Sequence, residues 1–181
     1  MVRAMRVISL VTLVLLVVLA LVPVWLIFPP RPEVTHSDAV FVIAGSWDGR
    51  HELGAQLVEE GMADNYVVSN PEGSKDIYGY AHCAGEDRPA APGGVWCMDP
   101  TPETTTGEGQ TFATLAQEQG WSSVIAVTSR THARRVQLVL DRCTDLRATV
   151  LPVETLDKDI LGILIAREIG GHLKFWFTRP C

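Results

Sequence analysis

The stretch SVIAVTSRTHARRVQLVL, residues 123–140, decides the fold class. Its first six residues, SVIAVT, predict a strand at residues 123–128 that is buried on both faces of a sheet. A helical pattern follows directly, at residues 131–140. A buried strand that passes straight into a helix predicts one unit of a parallel α/β sheet.

The same alternation of strand and helix continues along the chain. Strands are predicted at residues 39–44, 66–69, 95–98 and 148–153, and helices at residues 50–60, 107–119 and 156–177. Residues 70–94 are dominated by Gly, Pro, Ser and charges and hold no apolar period, so we expect a long loop there. The pattern predicts an α/β fold with a mostly parallel sheet, right-handed crossovers and flanking helices.

The N-terminal segment predicts a membrane anchor. Residues 7–28 form a run of 22 residues without a charge. A helix of that length rises about 33 Å at roughly 1.5 Å per residue, enough for a hydrocarbon core of about 30 Å. Arg3 and Arg6 precede the run and the first acid after it is Glu33, so the positive-inside bias places the N-terminus in the cytoplasm. A cleaved signal peptide is the alternative, but the run is long for one and no A-x-A site follows.

Both interpretations export the rest of the chain. We predict a cytoplasmic tail at residues 1–6, a transmembrane signal anchor at 7–28, a Pro-rich linker at 29–36 and an extracytoplasmic α/β domain at 37–181. Without Arg3 and Arg6, 13 of the 15 basic residues remain against 21 acidic residues, a net charge of −8. Such a domain repels phosphate backbones, which excludes nucleic acid as a partner.

Four cysteines fit an exported domain. They are even in number and none belongs to a C-x-x-C pair, so two structural disulfides are favoured over a zinc site or a redox motif. Of the three possible pairings we favour Cys83 with Cys97, which closes the Gly/Pro-rich loop, and Cys143 with Cys181, which ties the C-terminus to the domain. Four reduced thiols in a cytosolic domain are the alternative.

Polar residues gather where the predicted strands end, the edge at which parallel sheets bind ligands. His132 and Arg135 are three residues apart in the first turns of one helix and therefore share a face. A basic pair at a helix N-terminus opposes the macrodipole unless an anion lies there, so an anionic ligand is expected. Helix caps and polar turns are the structural alternative. The residues expected to bind the ligand are Gly45, Ser46, Arg50, Ser69, Thr106, Thr128, Ser129 and Arg135.

Glu108 lies in the first turn of the predicted helix at residues 107–119, where a carboxylate serves equally as a structural cap or as a catalytic group. No G-x-S-x-G, G-x-x-x-x-G-K-[ST], H-E-x-x-H or G-x-G-x-x-G motif occurs in the chain. We therefore predict no cofactor and no metal ion, and spacing alone names no reaction.

Several short motifs occur in a characteristic order. They are Ala44-Gly45 with Arg50 and Ala55, then Val67-Val68-Ser69, then Thr106-Gly107-Glu108 and, most specifically, Thr128-Ser129-x-x-His132-x-x-Arg135. In this order the chain resembles the YdcF/SanA/ElyC family, the bacterial domain of unknown function numbered 218, over about residues 38–153. Arg167-Glu168 is similar to part of the family's C-terminal helix. The chain departs from the family pattern at Ser69-Asn70-Pro71, Glu103, Thr105 and Gly109.

The resemblance implies a Rossmann-like α/β domain on a single membrane anchor in the bacterial cell membrane, with a role in envelope integrity and in peptidoglycan or lipid-carrier metabolism. At least one branch of the family binds S-adenosylmethionine.

Three functions follow from these observations. The first is an enzyme, a hydrolase or transferase, acting on a phosphate-bearing, lipid-linked envelope intermediate. In it Arg50 and Arg135 hold the anion, while His132 is the general acid or base and Glu108 positions water. The second is a binding module for a small anionic or nucleoside-type ligand, without turnover. The third is a scaffold whose strand-end residues are vestigial.

Overall fold

A parallel sheet with helices on both faces forms the body of the protein. The computed structural model describes residues 2–45 and 48–181. Its helices are α1 (Val2–Ile27), α2 (Arg50–Glu59), α3 (Ile77–Cys83), α4 (Thr105–Gln119), α5 (Ala133–Cys143) and α6 (Leu161–Thr178). Its strands are β1 (Ser37–Val42), β2 (Ala63–Ser69), β3 (Gly94–Met98), β4 (Ser123–Thr128) and β5 (Arg147–Pro152). Within these residues the strands form a sheet in the order β3-β2-β1-β4-β5, with every neighbouring pair parallel. The predicted α/β fold is confirmed.

The order in which the chain adds strands to the sheet reverses at β1. This strand pairs with β2 on one side and with β4 on the other. The chain builds outward through β2 and β3 and then returns to the other side of β1 for β4 and β5. Such a reversal is a topological switch point, and open α/β sheets bind ligands outside the carboxyl ends of the strands there.

Each face of the sheet is covered by its own helices. Phe41 of β1 stacks on Phe112 of α4, with ring centroids 4.4 Å apart, on the face that α4 and α5 cover. Val42 of β1 lies on the opposite face with Leu57 of α2 and Cys83 of α3. Since both faces are buried, β1 and β4 carry continuous apolar runs rather than an alternation of apolar and polar residues.

Helix α1 is long and apolar enough to cross a membrane over Met5–Ile27, a stretch of 23 residues. It begins inside the predicted tail and ends at residue 27. Its C-terminal end packs on the domain, where Leu26 is 1% exposed. There the Arg134 guanidinium of α5 lies over the Trp25 ring, with Cζ 4.3 Å from the ring centroid. The apolar helix therefore ends directly on the surface that α5 and α6 form.

The prediction of a loop throughout residues 70–94 is wrong, because a 3₁₀ turn at Gly73–Lys75 and helix α3 lie within it. The side chain of Asp76 caps α3 by accepting a hydrogen bond of 3.0 Å from the Gly79 N–H. The inner face of α3 is formed by Gly79, His82 and Cys83. The large apolar side chains are exposed instead, at Ile77, Tyr78 and Tyr80. Hydrophobic periodicity does not reveal a helix whose apolar residues face solvent.

The last helix begins five residues later than predicted, at Leu161 rather than at residue 156. Asp157 lies in the segment before it, and its side chain accepts a hydrogen bond of 3.0 Å from the Asp159 N–H. Local bonds of this kind offer the backbone an alternative to the helix. The helix therefore begins only after this acidic turn.

The four cysteines form the two predicted disulfides. Cys83 of α3 pairs with Cys97 of β3, with Cα atoms 5.5 Å apart and a separation of 14 residues in the sequence. Cys143 of α5 pairs with Cys181 beyond α6, with Cα atoms 5.1 Å apart and a separation of 38 residues. The first disulfide holds α3 to the sheet, and the second holds the end of α6 to α5.

Removing the second disulfide is expected to lower the free energy of unfolding more than removing the first. The loop of 38 residues closed by Cys143 and Cys181 corresponds to about 4 kcal/mol in the chain-entropy model. The loop of 14 residues closed by Cys83 and Cys97 corresponds to about 3 kcal/mol. Chemical denaturation of the two double Cys→Ser variants in detergent measures both losses. A larger loss for the shorter loop would contradict the loop-entropy mechanism.

Candidate active site

The predicted ligand residues lie along the carboxyl edge of the sheet. Gly45 follows β1, while Ser69 and Thr128 are the last residues of β2 and β4. Ser129 follows β4, and its carbonyl oxygen accepts a hydrogen bond of 3.1 Å from the His132 N–H. Thr106 is the second residue of α4 and is half-buried. Ser46, the remaining residue predicted from the first loop, lies outside the described residues.

Two buried hydroxyl groups flank the end of β1. Val42 is in register with Val68 on one side and with Val127 on the other. Ser69 and Thr128 are therefore each one residue beyond, and both project to the face that α4 and α5 cover. Both residues are 0% exposed, and neither hydroxyl has a hydrogen-bond partner in the part of the chain that the structure describes. An unpaired buried hydroxyl is costly, but neither oxygen is open to a ligand in this structure.

Arg50 lies against the turn that follows β1. Its Nη1 donates hydrogen bonds to the carbonyl oxygens of Ile43 and Ala44, at 3.1 and 2.9 Å. Its Nε and Nη2 donate to the two carboxylate oxygens of Asp48, at 2.8 and 2.6 Å. Gly45 has a φ of 151°, and a Cβ there would lie 2.5 Å from Arg50 Nη1, so this position needs glycine. The Arg50 guanidinium thus already has a bidentate carboxylate partner.

Glu108 reaches the same turn from α4. It is 6% exposed, and its Oε1 accepts a hydrogen bond of 2.8 Å from the Ala44 N–H. Ala44 is therefore held through its N–H by Glu108 and through its carbonyl oxygen by Arg50. Two of the predicted residues meet at this one position beside the switch point.

His132 joins α4, α5 and α6 through its two ring nitrogens. Its Nδ1 lies 3.1 Å from each carboxylate oxygen of Glu168 in α6. Its Nε2 lies 3.3 Å from the hydroxyl oxygen of Thr105 at the start of α4. A carboxylate only accepts, so Nδ1 carries the hydrogen, and Nε2 of the neutral ring accepts from the Thr105 hydroxyl. We call these three side chains, Glu168, His132 and Thr105, the relay.

Arg135 contacts both ends of the relay. Its Nε and Nη2 donate hydrogen bonds to Glu168 Oε2 and Oε1, at 2.7 and 2.9 Å. Its Nη1 donates to the Thr105 hydroxyl oxygen at 2.8 Å. A Cβ at Gly171 of α6 would lie 2.6 Å from Arg135 Nε, so α6 approaches this closely only with glycine there. The guanidinium fixes the Glu168 carboxylate and favours negative charge on the Thr105 oxygen.

The protonation states of the relay follow from burial and hydrogen bonding. Burial lowers the pKa of His132, although its hydrogen bond to Glu168 acts in the opposite direction. Burial also opposes ionisation of Glu168, but the hydrogen bonds from Arg135 and His132 outweigh it and lower the pKa of Glu168 to about 2. At neutral pH Glu168 is a carboxylate and His132 is a neutral base. Glu108 is close enough to His132 for its charge to raise the pKa of the imidazole.

The anion expected at the start of α5 is supplied by the protein itself. The sequence predicts an anionic ligand facing His132 and Arg135, and in the structure the Glu168 carboxylate binds both. In the same way Asp48 neutralises Arg50. Glu168 therefore supplies the negative charge that the sequence led us to expect from a ligand beside α5.

Glu168 is not among the site residues predicted from the sequence. The sequence shows a signal for it: Glu168 is the single acid of α6 and stands in the otherwise apolar and basic stretch IAREIGG, residues 165–171. A charge on the inner face of an apolar helix is stable only with a partner, and His132 and Arg135 are cationic or hydrogen-bonding residues that need one. Thr105 belongs to a run of three threonines before Gly107, and the sequence does not distinguish it from its neighbours.

The site offers proton transfer between a hydroxyl group and an imidazole that a carboxylate holds. Among residues 2–45 and 48–181, no three His, Cys, Asp or Glu side chains are grouped so as to hold a metal ion. Comparison of the sequence with models of known protein families gives no match, and comparison with curated proteins gives none either.

Proposed function

We propose that this protein is a membrane-anchored enzyme of the bacterial cell envelope that hydrolyses or transfers a group of a phosphate-bearing, lipid-linked intermediate. The observation that carries the proposal is the relay. A neutral imidazole, held at Nδ1 by a carboxylate and directed at a hydroxyl through Nε2, is the arrangement of a general base with its nucleophile. Such an arrangement is recognised by geometry and roles on unrelated folds.

Each group of the relay has a defined role in this mechanism. The Thr105 oxygen attacks a phosphorus atom of the substrate, its proton passes to His132 Nε2, and the bond from that phosphorus to the leaving oxygen breaks. The hydrogen bond from Arg135 Nη1, of 2.8 Å, stabilises the negative charge that develops on the attacking oxygen. Glu168 stays ionised and stabilises the imidazolium, which then returns the proton to the leaving oxygen. Water or an acceptor hydroxyl, deprotonated by the same imidazole, then attacks the phosphorus of the ester on Thr105, and Thr105 leaves as a free hydroxyl.

The position of the relay supports a substrate carried on a lipid. Arg134 lies between His132 and Arg135 in the sequence and donates hydrogen bonds to the carbonyl oxygens of Trp25 and Phe28, at 2.6 and 3.2 Å. The relay therefore lies within one turn of α5 from the end of α1. A substrate anchored in the same bilayer reaches this site without leaving the membrane.

We place the domain on the extracytoplasmic side, with the N-terminus of α1 in the cytoplasm. Arg3 and Arg6 precede the apolar run, in agreement with the positive-inside bias. The two disulfides are of the kind that persists in an oxidising compartment. The resemblance to the YdcF/SanA/ElyC family, carried by Thr128-Ser129-x-x-His132-x-x-Arg135, supports a role in envelope biogenesis.

The test is release of product by the full-length protein in phospholipid vesicles. The probe is a radiolabelled glycan linked to polyprenyl diphosphate, and the readout is water-soluble label over time. We expect release in proportion to the amount of protein, and none from vesicles without protein. Binding of the probe without release would contradict the enzyme and favour the binding module. If the protein neither binds the probe nor releases label, the scaffold is the one of the three functions that remains.

A further inference from the structure

Helix α6 carries an exposed apolar face opposite its buried face. Glu168 and Phe175 are the buried residues of this helix. At about 100° per residue, the opposite side of the helix holds large apolar side chains and small residues only. Leu173 is 53% exposed there and Phe177 is 84% exposed. The members of this outer face are Ile163, Ile169, Leu173 and Phe177, with Gly162, Ala166 and Gly170 between them. Trp176 lies at its border, 54% exposed, with the Arg142 guanidinium of α5 over its ring at 5.7 Å from the centroid.

The charges of α6 are segregated from this face. Arg167 and Lys174 are exposed and seven residues apart, so they lie along one flank of the outer face. Glu168 is the single acid of the helix, and it is buried against α5. A continuous apolar face with basic residues at its border and no exposed acid is the pattern of a helix that lies in the surface of an anionic membrane.

Helix α1 contacts α6 on the side of its buried face. The Trp25 ring of α1 makes an edge contact with the His172 ring of α6, with centroids 5.5 Å apart. Trp25 is near the end of the stretch Met5–Ile27, which is long and apolar enough to cross a membrane. When α1 crosses a bilayer, a tryptophan at this position lies at the membrane–water interface. Because α6 contacts that residue, α6 lies at the same level.

We propose that the outer face of α6 is a second membrane contact, so that α6 lies in the headgroup layer of an anionic bilayer while α1 crosses it. The apolar side chains then enter the bilayer by about 5–10 Å, the usual depth for an interfacial helix. This contact does not depend on whether the site turns over a substrate. Since Glu168 is on the inner face of the same helix, it also holds the relay close to the bilayer surface.

Trp176, at the border of the outer face and 54% exposed, reports on this contact. The full-length protein is placed in nanodiscs, one copy in each, made of phosphatidylcholine and phosphatidylglycerol with bromine atoms at a shallow position of the acyl chains. The Trp176→Phe variant is measured in parallel, and the difference between the two emission spectra belongs to Trp176. We expect brominated lipid to quench most of this emission and aqueous iodide to quench little of it.

Trp121→Phe is the matched control, because Trp121 precedes β4 at the opposite, amino-terminal edge of the sheet. The emission of Trp121 should not respond to brominated lipid. Emission of Trp176 that iodide quenches and brominated lipid does not would overturn the proposal, since the outer face would then be in water. Protection from both quenchers would also overturn it, since protein would then cover the face, and one copy per nanodisc excludes a second chain as that cover.

Discussion

Replacing His132 with Gln is expected to reduce turnover of a lipid-linked substrate by roughly 10²–10⁴-fold, the usual contribution of a positioned general base. An amide at this position can still donate a hydrogen bond to Glu168 but cannot take a proton from the Thr105 hydroxyl. The effect is large because burial lowers the pKa of His132 and keeps the imidazole neutral, ready to act as a base. The measurement is the initial rate of product release in vesicles, with thermal unfolding as a check on folding.

His36→Gln is the matched control, since His36 is exposed and precedes β1. Thr105→Val removes the hydroxyl group at nearly constant shape and should abolish turnover as well, whereas Thr105→Ser should retain part of it. A Thr105→Val variant with the full rate would rule out Thr105 as the attacking group. A His132→Gln variant with the full rate would rule out the relay as a whole.

Replacing Glu168 with Ala is expected to lower the free energy of unfolding by about 3–5 kcal/mol, because the variant leaves a largely buried guanidinium without its carboxylate. The side chains of Glu168 and Arg135 are 5% and 14% exposed, and two parallel hydrogen bonds join them. His132 loses its partner at Nδ1 in the same variant. Chemical denaturation of the full-length protein in detergent measures the loss.

A double variant separates the loss of the ion pair from a general disturbance of α6. Glu168→Leu combined with Arg135→Met replaces the pair by apolar side chains and should recover most of the stability. Glu154→Ala is the control, since the Glu154 side chain is 76% exposed beside Arg31 and Arg130. A surface pair of this kind contributes about 1 kcal/mol or less. A Glu168→Ala variant as stable as the Glu154→Ala variant would contradict the structural role of the pair.

The Glu168 carboxylate makes the free energy of unfolding depend on pH. The pKa of Glu168 is lowered from 4.5 to about 2 in the folded protein. A group with a lowered pKa contributes stability that is fully present above its unfolded pKa and is lost as the pH falls through its folded pKa. Wild-type protein should therefore lose more stability between pH 4.5 and 2 than the Glu168→Gln variant, as urea denaturation at each pH will show.

The sheet could be predicted from the sequence because its central strands are buried on both faces. An apolar run such as VIAV in β4, bounded by turn residues, is typical of a buried strand, and the predicted and observed bounds of this strand agree. Helix α3 could not be predicted in the same way, because its buried residues include glycine, histidine and cysteine. Its position depends on the disulfide to β3 and on the Asp76 cap. Neither of these produces a periodic pattern of apolar residues in the sequence.

The site was predictable only where its residues follow strands. Arg50, Glu108, His132 and Arg135 each come soon after a strand or begin a helix, so the topology alone places them at one edge of the sheet. Glu168 is 33 residues beyond Arg135 in the sequence, and its approach depends on how α6 docks on α5. A local sequence pattern does not reveal a contact between residues so far apart in the chain. For this reason the sequence alone points to a ligand as the source of the anion beside His132 and Arg135.

The contact of Arg134 with α1 has a mechanical consequence. The last carbonyl groups of a helix have no partner inside it, and Arg134 binds one of these, the Trp25 oxygen, together with the Phe28 oxygen just beyond α1. The cap of α1 and the imidazole of His132 are thus parts of the same turn of α5. In the proposed arrangement, with α1 crossing the membrane, a tilt of α1 that matches a thinner or thicker bilayer would displace the imidazole as well, so that this contact sets the height of the imidazole above the lipid.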